Sequence, residues 1–268
     1  PVVQDNLKIL EGYGYEVIRP AEGYLACGDV GAGKMPEPET LFAYIFKAIA
    51  CEKDMVGKKV LVTAGPTREA IDPVRFITNH SSGKMGYAIA RVCAARGAEV
   101  TLVSGPTSLP EPVAVKTVHV TTAREMFQAV AELAPEADII CKAAAVADYR
   151  PKHVSQEKVK KSDGNLALEM EKTQDILKYL GEHRRPGQFL CGFSMETENL
   201  TGNSRAKLEK KNLDTIVANS LKTEGAGFQG DTNQVTLITR NEEIPLPLLS
   251  KEETANLILN KVLEMSAQ

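Results

Sequence analysis

Long apolar runs, paired cysteines, spaced histidines and an excess of one charge are all missing from this sequence. No apolar stretch approaches the roughly 20 residues needed to cross a bilayer, and the N-terminus lacks the basic-then-apolar layout of a secretory signal. The expectation is therefore a soluble, cytoplasmic protein with no membrane partner. The five cysteines, Cys27, Cys51, Cys93, Cys141 and Cys191, are odd in number and never form C-x-x-C. Three of them lie inside apolar helix or strand patterns, which is usage typical of a reduced compartment rather than a disulfide framework. His80, His119, His153 and His183 show no H-E-x-x-H or other ligand spacing, so a protein-built zinc site is not indicated and they read as surface or loop residues. With 32 Lys and Arg against 35 Asp and Glu, the net charge of -3 carries no nucleic-acid footprint. Internal repeats and low-complexity segments are also missing.

What is present is a chain of 268 residues, 43% hydrophobic and 25% charged, enough for one or two buried cores. Residues 1–55 differ from the rest. They read as a helix ("NLKILEGYG"), a short strand ("YEVIRP"), a glycine-rich loop ("EGYLACGDVGAGKMPEPE") and a second helix ("PETLFAYIFKAIACEK"), with no sheet of their own. So little apolar surface is marginal for an independent domain. The first residue is Pro, not Met, so residues 1–55 are expected to be the tail of a domain belonging to a larger protein. "DMVGKK" joins them to a second domain over residues 56–268.

From Lys59 onward, apolar strand-like runs alternate with helical patterns: "KVLVTA", a helix from about Ser82 to Arg96, "EVTLVSG", "KTVHV", a helix from Ala123, and "DIICKAAAV". Thr122 with Glu125, and Ser250 with Glu253 near the C-terminus, have the spacing of capping boxes. A second block carries "LALEMEKT", a helix from Gln174, "QFLCGFSME", a helix through "SRAKLEKKN", "TIVANS", the loop "LKTEGAGFQGDTNQ", "VTLITR" and a final helix from Lys251. Continuous apolar strands with intervening helices predict an α/β fold with a doubly wound, Rossmann-like, mainly parallel sheet and an antiparallel portion near the end. Ligands of such sheets bind off the carboxyl ends of the strands, where "TAGPT", "SGP" and "AAAVADYRP" all fall.

The segment "NHSSGKMG", Asn79 to Gly86, sets two serines, a glycine and a lysine against the opening of an apolar-faced helix. It is not a P-loop, because Gly83-Lys84 is followed by Met85 and the position five before Gly83 is Thr78. A nicotinamide-dependent reductase is disfavoured too. There is no G-x-G-x-x-G after the first strand, and the second ends in Ser104-Gly105-Pro106 where an acidic ribose ligand would stand. Tyr87 is followed four residues later by Arg91, not by a lysine. The direct reading is a phosphate held by Ser81, Ser82 and the N–H groups around Gly83 at a helix N-terminus. An ordinary serine N-cap with a glycine for close packing would leave the same signature.

A second constellation is "KAAAVADYRPKHVSQEKVKKSDGN", Lys142 to Asn165. It leaves a buried strand through three alanines, passes Asp148 and presents Lys158, Lys160 and Lys161 on a long loop. A solvated charge run is the default explanation of such lysines. Loops of this length inside a domain are nevertheless often functional, and a mobile lysine cluster suits a nucleoside triphosphate whose pyrophosphate leaves.

"TAGPTREAIDPVRFITNHSSGKMG", "AAAVADYRP", "EKVKKSDGN", "GFSMET" and "KNLDTIVAN" resemble phosphopantothenate–cysteine ligase, the C-terminal half of a bacterial bifunctional coenzyme A biosynthesis protein. The match runs in order from about Lys59 to the end. "LACGDVGAGKMPEP" is similar to the last segment of the partner half, a flavin-dependent phosphopantothenoylcysteine decarboxylase. The resemblance implies a two-step ligation of 4'-phosphopantothenate with cysteine. CTP, with Mg²⁺ on its triphosphate, first gives an acyl-cytidylate and pyrophosphate; cysteine then displaces CMP. It also implies a homodimer, and a larger assembly with the full-length chain.

Carried over, Asn79 contacts phosphopantothenate and its activated acyl group, aided by backbone at Ala144 and Ala145, with Ser81, Ser82, Gly83 and Lys84 as further substrate contacts. Asp148, Lys158, Phe193, Lys207, Lys211 and Gly65 surround CTP, with Lys158 catalytic. By composition alone Phe193 reads as core, and Lys207 and Lys211, four apart, as one exposed helix face. Cys27 corresponds to the decarboxylase's proton donor on a flap with Gly28, Gly31 and Gly33. The FMN-binding sheet of that half is absent here, so neither flavin nor decarboxylation is expected. An NAD(P)-dependent reductase and a noncatalytic nucleotide-binding module remain the competing classes, and the base of the nucleotide rests on the resemblance alone.

Overall fold

The computed structural model describes residues 1–161, 166–196, 198–220 and 230–266. They divide into two compact units, Pro1–Glu52 and Lys53–Gln268. The division falls slightly before the expected 55/56 boundary because Met55 is fully buried in the core of the second unit.

The first unit holds α1 (Val2–Gly12), β1 (Ala21–Tyr24), β2 (Val30–Lys34) and α2 (Pro38–Ile49). Two expectations are corrected here. "YEVIRP" makes no strand, and the glycine-rich loop is instead an antiparallel hairpin of β1 with β2. Its glycines are tolerated because the strands are exposed and Gly33 lies against Leu25, where a Cβ would sit 3.1 Å from the leucine methyl. Neither helix buries a residue fully.

In the second unit the chain forms β3 (Lys59–Ala64), β4 (Arg68–Ala70), β5 (Phe76–Thr78), α3 (Lys84–Ala95), β6 (Glu99–Ser104), β7 (Val115–His119), α4 (Ala123–Leu133) and β8 (Ile139–Lys142). It continues with β9 (Tyr149–Pro151), β10 (Met170–Lys172), α5 (Ile176–His183), β11 (Phe189–Glu196), α6 (Leu200–Lys210) and β12 (Thr215–Ser220). Last come β13 (Thr232–Asn233), β14 (Val235–Thr239), β15 (Glu243–Pro245), β16 (Leu249–Ser250) and α7 (Lys251–Ser266). The main sheet has the order β15-β14-β12-β11-β8-β3-β6-β7. Six strands from β7 to β12 run parallel, and β14 and β15 add an antiparallel edge.

Strand residues alternate between two cores, as a period of two requires. Val60, Val62 and Ala64 of β3 pack with α3 and α7, while Leu61 faces the side of α4, α5 and α6. Burial of both faces explains the unbroken apolar runs of β3, β6 and β8. Thr122 caps α4 with a complete capping box, and Ser250 exchanges bonds with Glu253 at the start of α7. The long loop after β9 is described except for residues 162–165, and residues 221–229 of "LKTEGAGFQGDTNQ" lie outside the described residues.

In the parallel set, the order β7-β6-β3-β8-β11-β12 reverses direction between β3 and β8. A sheet of this kind opens its crevice at that switch point, beyond the carboxyl ends of the strands.

Candidate active site

The exits of β3 and β8 are zipped together. Ala143 N donates to Thr63 O at 3.2 Å, Ala145 N to Gly65 O at 2.9 Å and Thr67 N to Ala145 O at 3.3 Å. Threonine side chains finish the join: Thr63 Oγ1 accepts from Ala144 N at 3.1 Å and Thr67 Oγ1 from Ala147 N at 3.0 Å. Gly65 turns with a φ of 77°, in the left-handed region glycine tolerates. Asn79 reaches this seam, its Nδ2 donating to Ala145 O at 3.1 Å.

Helix α3 starts beside the seam. Its N-cap is Gly83, at φ 81°, with no side-chain cap, so the serine N-cap alternative is set aside. Ser81 Oγ accepts from Gly83 N at 3.3 Å and Ser82 Oγ from Lys84 N at 3.5 Å, both long bonds. A Cβ on Gly83 would stand 2.8 Å from Thr107 Cγ2, and one on Gly105 only 1.9 Å from Pro66 O. The crevice off β3 and β6, where a dinucleotide's ribose would lie, is thus filled by the chain itself.

The open space lies on the other side of β3, a cavity of about 640 Å³ beyond β8, β11 and β12. Among the described residues six lysines line it, Lys84, Lys142, Lys172, Lys207, Lys211 and Lys251, against two carboxylates, Asp148 and Asp175. Lys211 Nζ is 2.8 Å from Asp175 and Lys207 Nζ 2.5 Å from Glu196. Lys84 Nζ is 2.6 Å from Asp231. Burial, opposed by Lys211 and the N–H of Lys178, leaves the Asp175 carboxyl below its ordinary range. Burial, then Lys211, pushes Lys142 down to about 8. Burial and Lys84 also lower Lys251, whose Nζ donates to Gly230 O. Phe193 is half-buried on one wall. Asn219, also in the lining, has its Oδ1 buried with no partner among the described residues.

Of the residues named from sequence, the cavity gathers Ser81, Ser82, Gly83, Lys84, Ala145, Asp148, Phe193, Lys207 and Lys211. Gly65, Asn79 and Ala144 stand in the seam behind it. Lys158 is not in the lining; it is exposed on the loop after β9. Its neighbour Val159 is clamped, its N–H donating to Asp72 Oδ2 at 3.1 Å and its C=O accepting from Arg75 Nη2 at 2.5 Å. Cys27 is exposed on the β1–β2 turn, its thiol 3.7 Å from Asp29 Oδ2. Sequence reasoning missed Lys142, Asp175, Asn219 and Lys251. Lys142 ends β8, Asn219 is the next-to-last residue of β12, Asp175 is the N-cap of α5 and Lys251 opens α7, element ends that could have singled them out.

The domain model "DNA/pantothenate metabolism flavoprotein C-terminal domain" matches residues 55–265. The "Coenzyme A biosynthesis bifunctional protein CoaBC" of Bacillus subtilis is 47% identical over all of this chain and 67% of its own length. The protein of that name from Vibrio cholerae is 46% identical over 97% of this chain and 66% of its own. The chain spans about two thirds of the length of these relatives. A crystal structure of the C-terminal domain of a CoaBC protein is 48% identical, with a TM-score of 0.67 over 79% of this chain and 96% of that one. A cation-lined cavity at the switch point, a glycine-capped helix beside it and these likenesses fit together: the chain belongs to the DNA/pantothenate metabolism flavoprotein C-terminal domain family, and its relatives include CoaBC proteins.

Proposed function

We propose that the second unit is a phosphopantothenate–cysteine ligase that uses CTP in coenzyme A biosynthesis. The observation that carries the reading is the convergence of the α3 N-terminus and the lysines on one cavity, in a chain 47% identical to a CoaBC protein. A carboxylate has no good leaving group, so joining it to an amine needs activation. In the first step a carboxylate oxygen of 4'-phosphopantothenate attacks the α-phosphorus of CTP, and the bond to pyrophosphate breaks. In the second, the cysteine nitrogen attacks the acyl carbon, CMP leaves and the nitrogen loses a proton.

The residues divide this work by position. The N–H groups at Gly83 and Lys84, with Ser81 and Ser82, hold phosphate oxygens where the helix dipole favours negative charge. Asn79, held against Ala145 O, directs its amide to the acyl group, beside the backbone of Ala144 and Ala145. Phe193 supplies a wall for the base, and Asn219 Oδ1 an acceptor for an exocyclic amine. Asp148 takes a ribose hydroxyl, and Lys207 and Lys211 neutralise the nucleotide with Gly65 backing the turn. Lys158, on its clamped loop, stabilises charge that develops as pyrophosphate departs.

Among the described residues no group of three His, Cys, Asp or Glu could hold a metal, and the charged side chains of the lining are mostly lysines. Mg²⁺ would be carried on the triphosphate by phosphate and water, where it would neutralise charge on the leaving group. In this reading FMN belongs to the decarboxylase half, of which the first unit represents only the last segment. No decarboxylation step is derived for Cys27. A homodimer in the cytoplasm is part of the same reading.

Pyrophosphate release from CTP that requires phosphopantothenate but not cysteine tests it. A noncatalytic binding module would hold CTP without releasing pyrophosphate, and a reductase would be stabilised by NADPH instead.

A further inference from the structure

Asn233 ends β13, 2% exposed, in the wall of the cavity. Its amide has one orientation: Oδ1 accepts from the N–H of Gln234 at 3.1 Å, so Nδ2 faces the other way. The partner there is Met85 Sδ at 3.8 Å, and Met85 is itself part of the lining. A thioether is a weak acceptor, and an amide nitrogen brings two protons. No other acceptor meets them among the described residues. Gln188 gives the contrast. It is 3% exposed, and its Nε2 donates to Ala134 O and Ala137 O, both at 2.7 Å. A buried donor left without a good acceptor is costly, and an acceptor on a bound molecule would relieve that cost. In the β12–β14 ladder Asn219 stands opposite Val235. Asn233, two residues before Val235, is thus its diagonal neighbour, and diagonal pairs on one face lie about 7–8 Å apart. Val217 and Val235 pack into the core beneath α3 and α7; Asn219 follows Val217 by two, and Asn233 reaches Met85 of α3, so both asparagines belong to that face. Phe193 packs against the same core and lines the cavity with them. The ammonium groups of Lys84 and Lys251 are engaged by Asp231 and by Gly230 O. Uncharged amides beside apolar surface suit a heteroaromatic ring.

We propose that Asn233 is a specificity-determining residue of the nucleotide site, its Nδ2 donating to an uncharged ring acceptor of the base. The inference rests on reading the cavity as a nucleotide site and deepens it by assigning a donor for the base. With Asn219 Oδ1 accepting from an exocyclic amine, the two amides read an amine next to an acceptor, the edge that cytosine presents at N4 and N3. Uracil presents the inverse there, a carbonyl O4 next to an N3–H, and would set like groups against both asparagines. A site built to hydrogen-bond its ligand rejects an analogue that leaves the buried polar groups unpaired. Adenine carries the same edge at N6 and N1, so the pair excludes uracil without excluding adenine.

The experiment is calorimetric titration of the protein with CTP, UTP and tripolyphosphate, each with Mg²⁺, alongside pyrophosphate release. The wild type should bind CTP at least about tenfold tighter than UTP. Asn233→Leu should weaken CTP by about tenfold and leave UTP and tripolyphosphate unchanged, so that the preference collapses; Asn233→Asp, which puts an acceptor where the donor stood, should bring the ratio of CTP to UTP affinity near one. Equal wild-type affinity for CTP and UTP overturns the proposal whether or not the variants fold. Unchanged CTP affinity in Asn233→Leu overturns it too, as does an equal loss for CTP and tripolyphosphate, which would place the amide on the phosphates or in the fold. The expected affinities without any pyrophosphate release would sustain Asn233 and sink the ligase reading. Pyrophosphate release from CTP with unaltered affinity in Asn233→Leu would leave the ligase standing and remove Asn233 from it.

Discussion

Gly86 lies in the first turn of α3, and replacing it with alanine pits two known effects against each other. A Cβ there would stand 2.6 Å from Ala64 Cβ, 2.9 Å from Thr63 O and 3.1 Å from Ala64 Cα. Carbon atoms prefer separations of about 3.5–4.0 Å, so the intrusion is close to 1 Å. The atoms it meets belong to the backbone and a fully buried alanine of β3, and none can rotate away. Relief requires α3 to lift off the sheet. Overpacking of this kind costs about 1–3 kcal/mol, whereas alanine in place of glycine within a helix gains about 1 kcal/mol, and less in a first turn. The clash wins, by about 1–2 kcal/mol. At roughly 2–4 °C per kcal/mol for a domain of this size, Tm should fall by about 2–8 °C in a calorimetric melt. The same lift carries the Gly83 and Lys84 amides away from where phosphate would sit, so CTP should stabilise the variant much less than the wild type. A Tm equal to or above that of the wild type would mean that helix propensity sets the outcome and that α3 is not seated on β3 in this way.

Three further outcomes follow from named contacts. Lys158→Gln should lower kcat about 10²–10³-fold, the loss expected for one electrostatic donor acting in the transition state, and should abolish the pyrophosphate burst without cysteine; a normal burst with no amide would place Lys158 in the second step, and a raised KM with unchanged kcat would make it a ground-state contact. Thr122→Ala removes the α4 capping box and should cost about 1 kcal/mol in denaturant unfolding, with no change in pyrophosphate release. At Asp72, burial alone would raise the carboxyl, but the N–H of Val74, the Arg75 guanidinium and the N–H groups of Val159 and Arg75 overrule it and hold it well below the carboxylate range. Its stabilising effect is therefore present above the unfolded value near pH 4 and lost as pH falls below it; Asp72→Asn should flatten the acid limb of a Tm-versus-pH curve, and an unchanged limb would discount the clamp.

The parallel sheet was legible because its strands are buried on both faces and so carry unbroken apolar runs, such as "KVLVTA" and "DIIC". The capping boxes were legible because they are local. Where the reading failed, the cause was missing context. "YEVIRP" has strand composition but pairs with no strand among the described residues, and the hairpin that does form is built from glycines that composition assigns to a loop. The start of α3, expected at about Ser82, lies at Lys84 with Gly83 as its N-cap; what decides the cap is that Gly65 and Thr107 press on residue 83, so that only a residue without a side chain at positive φ fits, and this contact is remote in sequence.

The site divides along the same line. Ser81, Ser82 and Gly83 could be chosen from sequence, since a helix N-terminus after a strand and a turn is a local pattern with a chemical consequence. Lys207 and Lys211 could not, because four-residue spacing on a charged helix describes any solvated face; their place in the cavity wall shows only in the fold, where Lys207 pairs with Glu196 and Lys211 with Asp175. Lys142 was hardest of all. It reads as the polar end of a buried strand, and a lysine there is ordinarily a cap with its ammonium in water. The fold instead sets it half-buried at the strand end, beside the start of α5 and the end of α6, and burial there weakens its hold on a proton. The chemistry of Lys142 is thus a property of the switch point, fixed by strand order and not by its neighbours in the chain.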